Sequence, residues 1–235
     1  MPARAVRPWS RIVDVVFPPR CLLCGEACAP LQHLGQVCPA CVAALPWIRG
    51  PTCERCGIEL VSERGLCTRC RAGTLGIDRN VALFPYLGQV RELIHLYKTA
   101  GRRSLAELFS ELLACAYLRE YGGSTVVPVP GRAAVRRRRG WEHVDLVASR
   151  LDRRFSIPVA RCLRRRSTAQ QKALDYEERL RNIAGTYAAL SGPVPEVAVL
   201  LDDVLTTGAT LTECARVLRD RGCRLVSALT IAVDE

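Results

Sequence analysis

From residue 76 onward, short apolar runs alternate along the chain with segments whose apolar residues have helical spacing. Apolar runs that predict strands occur in VALFPYLG, STVVPVP, VAVLLDDV and RLVSALTIAV. The first of them predicts either a pair of strands or one strand followed by a turn. Helical spacing occurs in QVRELIHLYKTAG, SLAELFSELLACAYLREYG, EHVDLVASRLDRRF and ATLTECARVLRDRG. We expect Ser104 to cap the second of these helices. Strands that alternate with helices predict a parallel α/β sheet.

Residues 1–75 do not show this alternation of strand and helix patterns. The segment WSRIVDVVF, at 9–17, places its apolar side chains on one face of a short predicted helix, which two prolines end. The next part is rich in Gly and Pro and has no long periodic segment, so it can form only knuckles and short ribbons held by ligands. The sequence therefore predicts an N-terminal amphipathic helix over 1–19, a ligand-held module over 20–75 and an α/β domain over 76–235.

The composition is that of an ordinary globular protein, with 49% hydrophobic and 24% charged residues among 235. No apolar run approaches the roughly 20 residues that a membrane-spanning helix needs, and the N-terminal segment is too short for a secretory signal. We therefore expect a cytoplasmic protein without membrane insertion. The net charge of +11 favours polyanionic partners. It is a weak indication, because Lys98 and Lys172 are the only lysines and the excess is a general preference for arginine.

Eight of the thirteen cysteines form four C-x-x-C pairs, which fall into two modules. The first module is Cys21, Cys24, Cys38 and Cys41, and the second is Cys53, Cys56, Cys67 and Cys70. Two intervening residues let both thiolates of a pair reach one tetrahedral ion, as in zinc ribbons. We expect two zinc ions, with each module closing its own site in preference to interleaved pairing. An iron–sulfur cluster is the alternative.

The cysteine pattern also indicates what the metal ions and the other thiols do. Since all four positions of a module hold cysteine, no coordination position is left for a catalytic water, and the zinc ions are predicted to be structural. The remaining cysteines lack metal-ligand spacing and are predicted to be small buried residues: Cys28, Cys115, Cys162, Cys214 and Cys223.

The stretch VLLDDVLTTGAT, at 199–210, joins a predicted strand, two aspartates and a small-residue loop before a helix. Ligands of parallel sheets bind outside the carboxyl ends of the strands. The amides of residues 206–210 and the following helix N-terminus form an anion site, to which the threonine hydroxyls add donors. Asp202 and Asp203 suit hydroxyl groups or a cation beside that anion, so the layout fits a sugar phosphate. The alternative, a capped helix after a buried strand without a ligand, would explain Thr210 but not the two aspartates and the rest of the loop.

This stretch resembles the phosphoribosyl diphosphate (PRPP) signature of type I phosphoribosyltransferases. With the cysteine modules in front, the whole chain resembles the ComF family, known from bacterial competence. Further segments that resemble the family are LYKTAGRRSLAELF, VPVP with the basic residues and RGW that follow it, and Thr168, Gln171, Leu174, Arg179 and Asn182 within TAQQKALDYEERLRN. The resemblance implies a type I phosphoribosyltransferase fold, a parallel sheet flanked by helices, behind a double zinc ribbon.

The resemblance also implies a role for each part of the site. The 5-phosphate of PRPP would bind to Thr206, Thr207, Gly208, Ala209 and Thr210, and the ribose hydroxyls to Asp202 and Asp203. The pyrophosphate would lie at the 128–132 loop, which contains Pro130 and Arg132, with Mg²⁺ bridging pyrophosphate and ribose oxygens. Lys98 is a candidate catalytic cation, although its place near a helix C-terminus also allows simple dipole complementation.

One segment departs from the family pattern. ComF proteins usually have Arg-Gly-Phe-Asn-Gln where this chain has Arg139, Gly140, Trp141, Glu142 and His143. We take Arg139, Trp141, Glu142 and His143 as acceptor or flap residues. The arginine run 136–139 is predicted to be a loop that is either simply solvated, closes over pyrophosphate, or contacts nucleic-acid phosphates. Thr168 and Gln171 are expected on a hood over the site.

Two functions of different classes follow from these features. The first is an enzyme that transfers the phosphoribosyl group of PRPP to an unknown acceptor or to water. The second is a non-catalytic module that handles single-stranded DNA during uptake, with competence proteins as partners and a PRPP-sensing fold. The charge and the arginine run beside Trp141 favour the second, whereas the intact acidic pair favours PRPP binding. A purely structural scaffold explains the loop worst.

Overall fold

The computed structural model describes residues 18–28, 34–73, 75–166 and 185–234. The predicted helix at 9–17, the expected hood residues Thr168 and Gln171, and Asn182 of the family-like segment lie outside this part of the chain. Its helices are α1 (Pro39–Ala43), α2 (Thr68–Ala72), α3 (Gly88–Lys98), α4 (Leu105–Glu120), α5 (Ala133–Arg139), α6 (His143–Phe155) and α7 (Ala209–Arg219). Within the described ranges, none of these helices combines the length and the apolarity needed to cross a membrane.

The strands form a parallel sheet with a small hairpin-like pair beside it. They are β1 (Asn80–Pro85), β2 (Thr125–Pro128), β3 (Leu163–Arg165), β4 (Tyr187–Ala189), β5 (Val197–Leu205) and β6 (Leu225–Val233). Four of them pair in the order β1-β6-β5-β2, and every pairing is parallel. Strands β3 and β4 pair antiparallel. The predicted α/β class, a parallel sheet flanked by helices behind a cysteine module, is confirmed.

Strand β5 lies inside the sheet and is buried on both faces. Its residues alternate between two apolar cores, since successive side chains of a strand point to opposite faces. Val199 and Leu201 join the core that contains α3, α4 and α6, and Leu200 joins the core that contains α7. Each is at most 1% exposed, and burying such a side chain contributes about 1.5–3 kcal/mol. The same alternation decides where the two following aspartates point.

The two cysteine modules pack on different cores. Cys21, Val37 and Leu45 of the first module belong to the core of α3, α4 and α6. The cysteines of the second module belong to the core of α7. The first and second modules therefore lie against opposite faces of the sheet, and only the second shares a core with the helix that follows residues 206–208.

Three expectations from the sequence are wrong. The arginine run is not a loop: it lies in α5, because alanine and arginine favour helix, and Gly140 with φ 73° follows the last turn. Ser104 does not cap α4 with its side chain. Its backbone is helical and its hydroxyl donates to Gln36 Oε1 at 3.0 Å. Cys115 is exposed, because it lies on the outer side of α4, whereas the other four unpaired cysteines are buried.

Candidate functional site

The eight modular cysteines form two compact groups of four. The Sγ atoms of Cys21, Cys24, Cys38 and Cys41 lie within 4.8 Å of one another, and those of Cys53, Cys56, Cys67 and Cys70 do the same. Each module thus closes its own group, as the spacing predicts. Backbone amides donate to the sulfurs, for instance from Cys67 to Cys53 Sγ at 3.4 Å. Burial raises the pKa of the Cys53 thiol, but these amide hydrogen bonds outweigh it and lower the pKa to about 6.

A closed set of four cysteine sulfurs fits a structural zinc ion. We predict two tightly bound zinc ions per chain, one for each group of four sulfurs. Elemental analysis of protein purified without added metal is expected to give close to two equivalents of zinc. A brown protein with iron in place of zinc would contradict this assignment.

The threonine loop, residues 206–210, connects β5 to α7. Gly208 has φ 79°, a left-handed conformation that glycine adopts without strain, and α7 begins at the next residue. The loop encloses a cavity of about 40 Å³ whose lining consists of Asp202, Val204, Leu205, Thr206, Thr207, Gly208, Ala209, Thr210 and Leu211. The positive end of the α7 dipole lies at this cavity. All five loop residues predicted to bind phosphate therefore line one small space with one aspartate.

The two aspartates point to opposite faces of the sheet because β5 continues through both of them to Leu205. Asp202 lies on the face of α7 and lines the cavity of the threonine loop. Burial and the neighbouring Asp203 carboxylate raise the pKa of Asp202 to about 7. The amide of Asp203 donates to Asp202 Oδ1 at 2.9 Å, which fixes the orientation of that carboxylate. Asp202 is thus the aspartate that faces the cavity of the threonine loop.

Asp203 lies on the face of α3 and α6, where two cations hold it. Its Oδ2 atom is 2.7 Å from Lys98 Nζ and 2.6 Å from His143 Nε2. Burial would raise the pKa of Asp203, but the hydrogen bond from His143 and the charge of Lys98 lower it below its ordinary value. Burial alone would lower the pKa of His143, yet the Asp203 contact raises it. Asp203, one of the two aspartates predicted to bind ribose, is therefore the buried centre of an ion cluster with Lys98 and His143.

Glu142 and His143, the pair that departs from the family pattern, complete this cluster. His143 Nδ1 lies 3.1 Å from Glu142 Oε1, and Glu142 Oε2 accepts from the amide of Asp145 at 2.8 Å. Glu142 is thus the N-cap of α6. The hydroxyl of buried Tyr97 donates to the carbonyl of His143 at 2.7 Å. Sequence reasoning missed this role of Tyr97, since its position in the helical pattern indicated only a core residue.

Arg139 and Trp141 lie against the C-terminal end of α3. The guanidinium of Arg139 donates to the carbonyls of Lys98 and Thr99. The Trp141 ring lies 5.6 Å from that of Tyr97, and the guanidinium of Arg103 lies 5.1 Å above the Trp141 ring. These contacts place the segment that carries Trp141 beside Lys98.

The loop after β2 borders a cavity of about 390 Å³. Its lining consists of Pro128, Val129, Pro130, Gly131, Ala133, Glu142, Asp145, Arg161, Leu163, Arg164, Arg165 and Leu190. Pro130 lies in this wall, whereas Arg132, the other residue predicted to border pyrophosphate, is exposed and is not part of the lining. The three arginines near β3 were not found by sequence reasoning, because in a chain so rich in arginine their positions carry no signal.

Comparisons with known proteins match the cysteine modules to a zinc-binding family and most of the chain to several relatives. Residues 12–71 match the double zinc ribbon domain family. The chain is 31% identical to the DNA utilization protein YhgH of Escherichia coli K12, over 90% of this chain and 96% of that protein. It is 28% identical to competence protein F of Haemophilus influenzae over 77% of this chain and 84% of that protein. It is 25% identical to competence protein ComFC of Bacillus subtilis over 83% of both. With a double zinc ribbon ahead of a parallel α/β sheet, the chain belongs to the ComF family.

Proposed function

We propose that this chain binds PRPP with Mg²⁺ and transfers the phosphoribosyl group to an acceptor or to water. The observation that carries the proposal is the shared cavity of Asp202 and the threonine loop at the carboxyl end of β5. The loop amides bind the 5-phosphate, and the carboxylate beside them accepts hydrogen bonds from the ribose hydroxyls. Because the anion site and the carboxylate are neighbours, they match a ribose with a phosphate at one end.

The rest of the site supports a displacement at C1 of the ribose. The bond from C1 to the pyrophosphate oxygen breaks, its electron pair leaves with pyrophosphate, and a lone pair of the acceptor forms the new bond. The Asp202 carboxylate stabilises positive charge at C1, and Lys98, about one-third exposed, offers its ammonium to the leaving group. Mg²⁺ held by oxygens of pyrophosphate and ribose would neutralise charge on the leaving group. Pro130 and its loop border the space for pyrophosphate.

Calorimetric titration with PRPP, with and without Mg²⁺, tests the proposal. We expect saturable binding that Mg²⁺ strengthens, and then release of pyrophosphate when a suitable base is added. Ribose 5-phosphate serves as the control ligand, because it carries the phosphate and the diol without the leaving group. An absence of binding to protein that holds its zinc would overturn the proposal.

A second candidate function, single-strand DNA handling, is favoured by the basic surface around α5. Arg137 and Arg138 are exposed on this helix, and the stacked pair of Arg103 and Trp141 lies at its C-terminal side. Guanidinium groups beside an aromatic ring suit a single strand, whose phosphates and bases they contact. The names of the relatives refer to DNA utilization and competence. We propose that this surface contacts the strand, whether or not turnover occurs.

Replacing Arg137 and Arg138 by alanine is expected to weaken binding of single-stranded DNA and to flatten its salt dependence. Two lost phosphate contacts should reduce the slope of log K against log salt by about 1.4. Arg224→Ala is the matched control, since Arg224 is an exposed arginine that directly precedes β6, at the amino ends of the strands, whereas α5 follows the carboxyl end of β2. Fluorescence anisotropy at several salt concentrations measures both quantities. An unchanged slope would mean that α5 is only solvated.

A further inference from the structure

The segment that follows the second cysteine module contacts the threonine loop and the first turn of α7. A Cβ atom on Gly208 would lie 2.1 Å from Cδ1 of Leu75, a residue just beyond the module, so the leucine packs on the backbone of the loop. The amide of Gly76 donates to Thr212 Oγ1 in the first turn of α7 at 3.0 Å. Asn80 Nδ2 donates to the Cys56 carbonyl at 2.9 Å and to Thr230 Oγ1 at 3.1 Å. These contacts therefore fix the position of the second module relative to the threonine loop and the sheet.

A second cavity, of about 90 Å³, separates the module from the outer side of the loop. Its lining consists of Cys56, Arg69, Cys70, Gly73, Leu75, Leu205, Thr206 and Thr207. Arg69 of α2 thus lines the same cavity as the two threonines. Its neighbour Arg71 is turned away, because its Nε donates to the Leu66 carbonyl at 2.8 Å. Of the two arginines of α2, only Arg69 lines this cavity.

The first module makes no comparable contact in the described part of the chain. Its connection to the sheet runs through the amide of Ile48, which donates to the Leu83 carbonyl at 3.1 Å. Gly35 packs on the backbone of Ser104 at the start of α4, where a Cβ atom would lie 2.5 Å from the Ser104 carbonyl oxygen. Two modules of the same ligand type therefore differ in one respect: only the second borders the candidate phosphate site.

We propose that the second cysteine module is a working part of the phosphate site. Leu75 positions the threonine loop, and Arg69 binds an oxygen of the phosphate from the side of Thr206 and Thr207. This inference rests on the proposed PRPP function and assigns a phosphate-binding cation to the metal module. A guanidinium is well suited to that role, because its planar donors match phosphate oxygens.

Arg69→Ala is expected to weaken PRPP binding about tenfold, the effect of one lost charge-assisted hydrogen bond. It should also make the affinity less sensitive to salt, which a merely structural loss would not do. Arg69→Lys keeps the charge and should restore part of the affinity, and Arg71→Ala on the same helix should bind like the parent. Calorimetry at two salt concentrations measures these effects. Arg69→Ala with parental affinity would overturn the inference alone, whereas a parent that binds no PRPP would overturn the proposed function as well.

Zinc retention in the unmodified protein provides an independent test. Coupling between two sites is reciprocal, so a ligand held by the second module must also stabilise its metal. With a chelator present, PRPP is expected to slow alkylation of the second-module cysteines several-fold and to leave those of the first unchanged. Mass spectrometry of labelled peptides separates the two modules. Leu75→Ala should remove this difference in protection between the two modules. The inference would be overturned if bound PRPP protected both modules equally, or if it protected neither.

Discussion

Replacing Gly208 by valine is expected to abolish PRPP binding, with an affinity loss of at least about a hundredfold. Two physical effects combine at this position. Its φ of 79° lies in the left-handed region, which a β-branched residue avoids. A Cβ atom there would also lie 2.1 Å from Leu75 Cδ1, so the leucine and the loop cannot both keep their places. The loop amides then no longer converge on one phosphate.

Gly222→Val is the matched control for that variant. Gly222 has φ 95°, so valine is strained there as well, but a Cβ atom would meet nothing within 4 Å. It lies just beyond the C-terminal end of α7, away from the threonine loop. We expect it to lose stability without losing PRPP affinity. Both variants should keep their zinc and their helical circular dichroism. If Gly208→Val binds PRPP like the parent, the phosphate lies elsewhere.

The two aspartates are expected to respond differently to replacement by asparagine. Asp202→Asn should abolish turnover and weaken PRPP binding, because the ribose hydroxyls and the charge at C1 lose their carboxylate. It should leave stability unchanged or raised, since folding already raises the pKa of Asp202 to about 7 and an ionised group there is unfavourable. Asp203→Asn should instead destabilise the fold by about 1–3 kcal/mol, because it leaves Lys98 and His143 beside a neutral partner.

The pH dependence of stability separates the two roles further. Folding raises the pKa of His143, so its contact with Asp203 stabilises fully below the unfolded value of about 6.5 and is lost as the pH rises through the higher folded value. Asp203→Asn should remove this loss and lower the pKa of His143, which proton NMR of the imidazole measures. Asp220→Asn, at an exposed ion pair, is the control for both variants. An Asp202→Asn protein with parental affinity and turnover would contradict the proposed site.

Local pattern was enough to predict most of the fold. Helix α3 buries Val90, Leu93, Ile94 and Tyr97, the four residues that its spacing indicates, and β5 and β6 follow their apolar runs. The cysteine groups follow from spacing in the same way, because each ligand pair is only two residues apart. Such features are determined by residues that are close together in the chain, so a single sequence is enough to predict them. The threonine loop is equally local, since all its donors follow one strand.

Contacts between distant segments could not be predicted in this way. That Asp203 binds Lys98 and His143 depends on how α3 and α6 pack on the sheet, which no pattern near residue 203 encodes. The contact of Leu75 with Gly208 is of the same kind. The arginine run was misjudged for the opposite reason: its charge suggested a solvated loop, whereas the intrinsic helix preference of alanine and arginine gives α5.

The strand order β1-β6-β5-β2 has a consequence for synthesis of the protein on the ribosome. Strands β1 and β2 are made first but are not neighbours, so neither has a partner in this sheet until β5 and β6 emerge. The cysteine modules need only local ligands and a metal ion, and they can fold while the later chain is still being made. Because Asn80 of β1 is tied to Cys56, the folded second module can hold the exposed first strand in place. A cell short of zinc would therefore leave that strand unprotected for most of translation, and aggregation of nascent chains is the expected result.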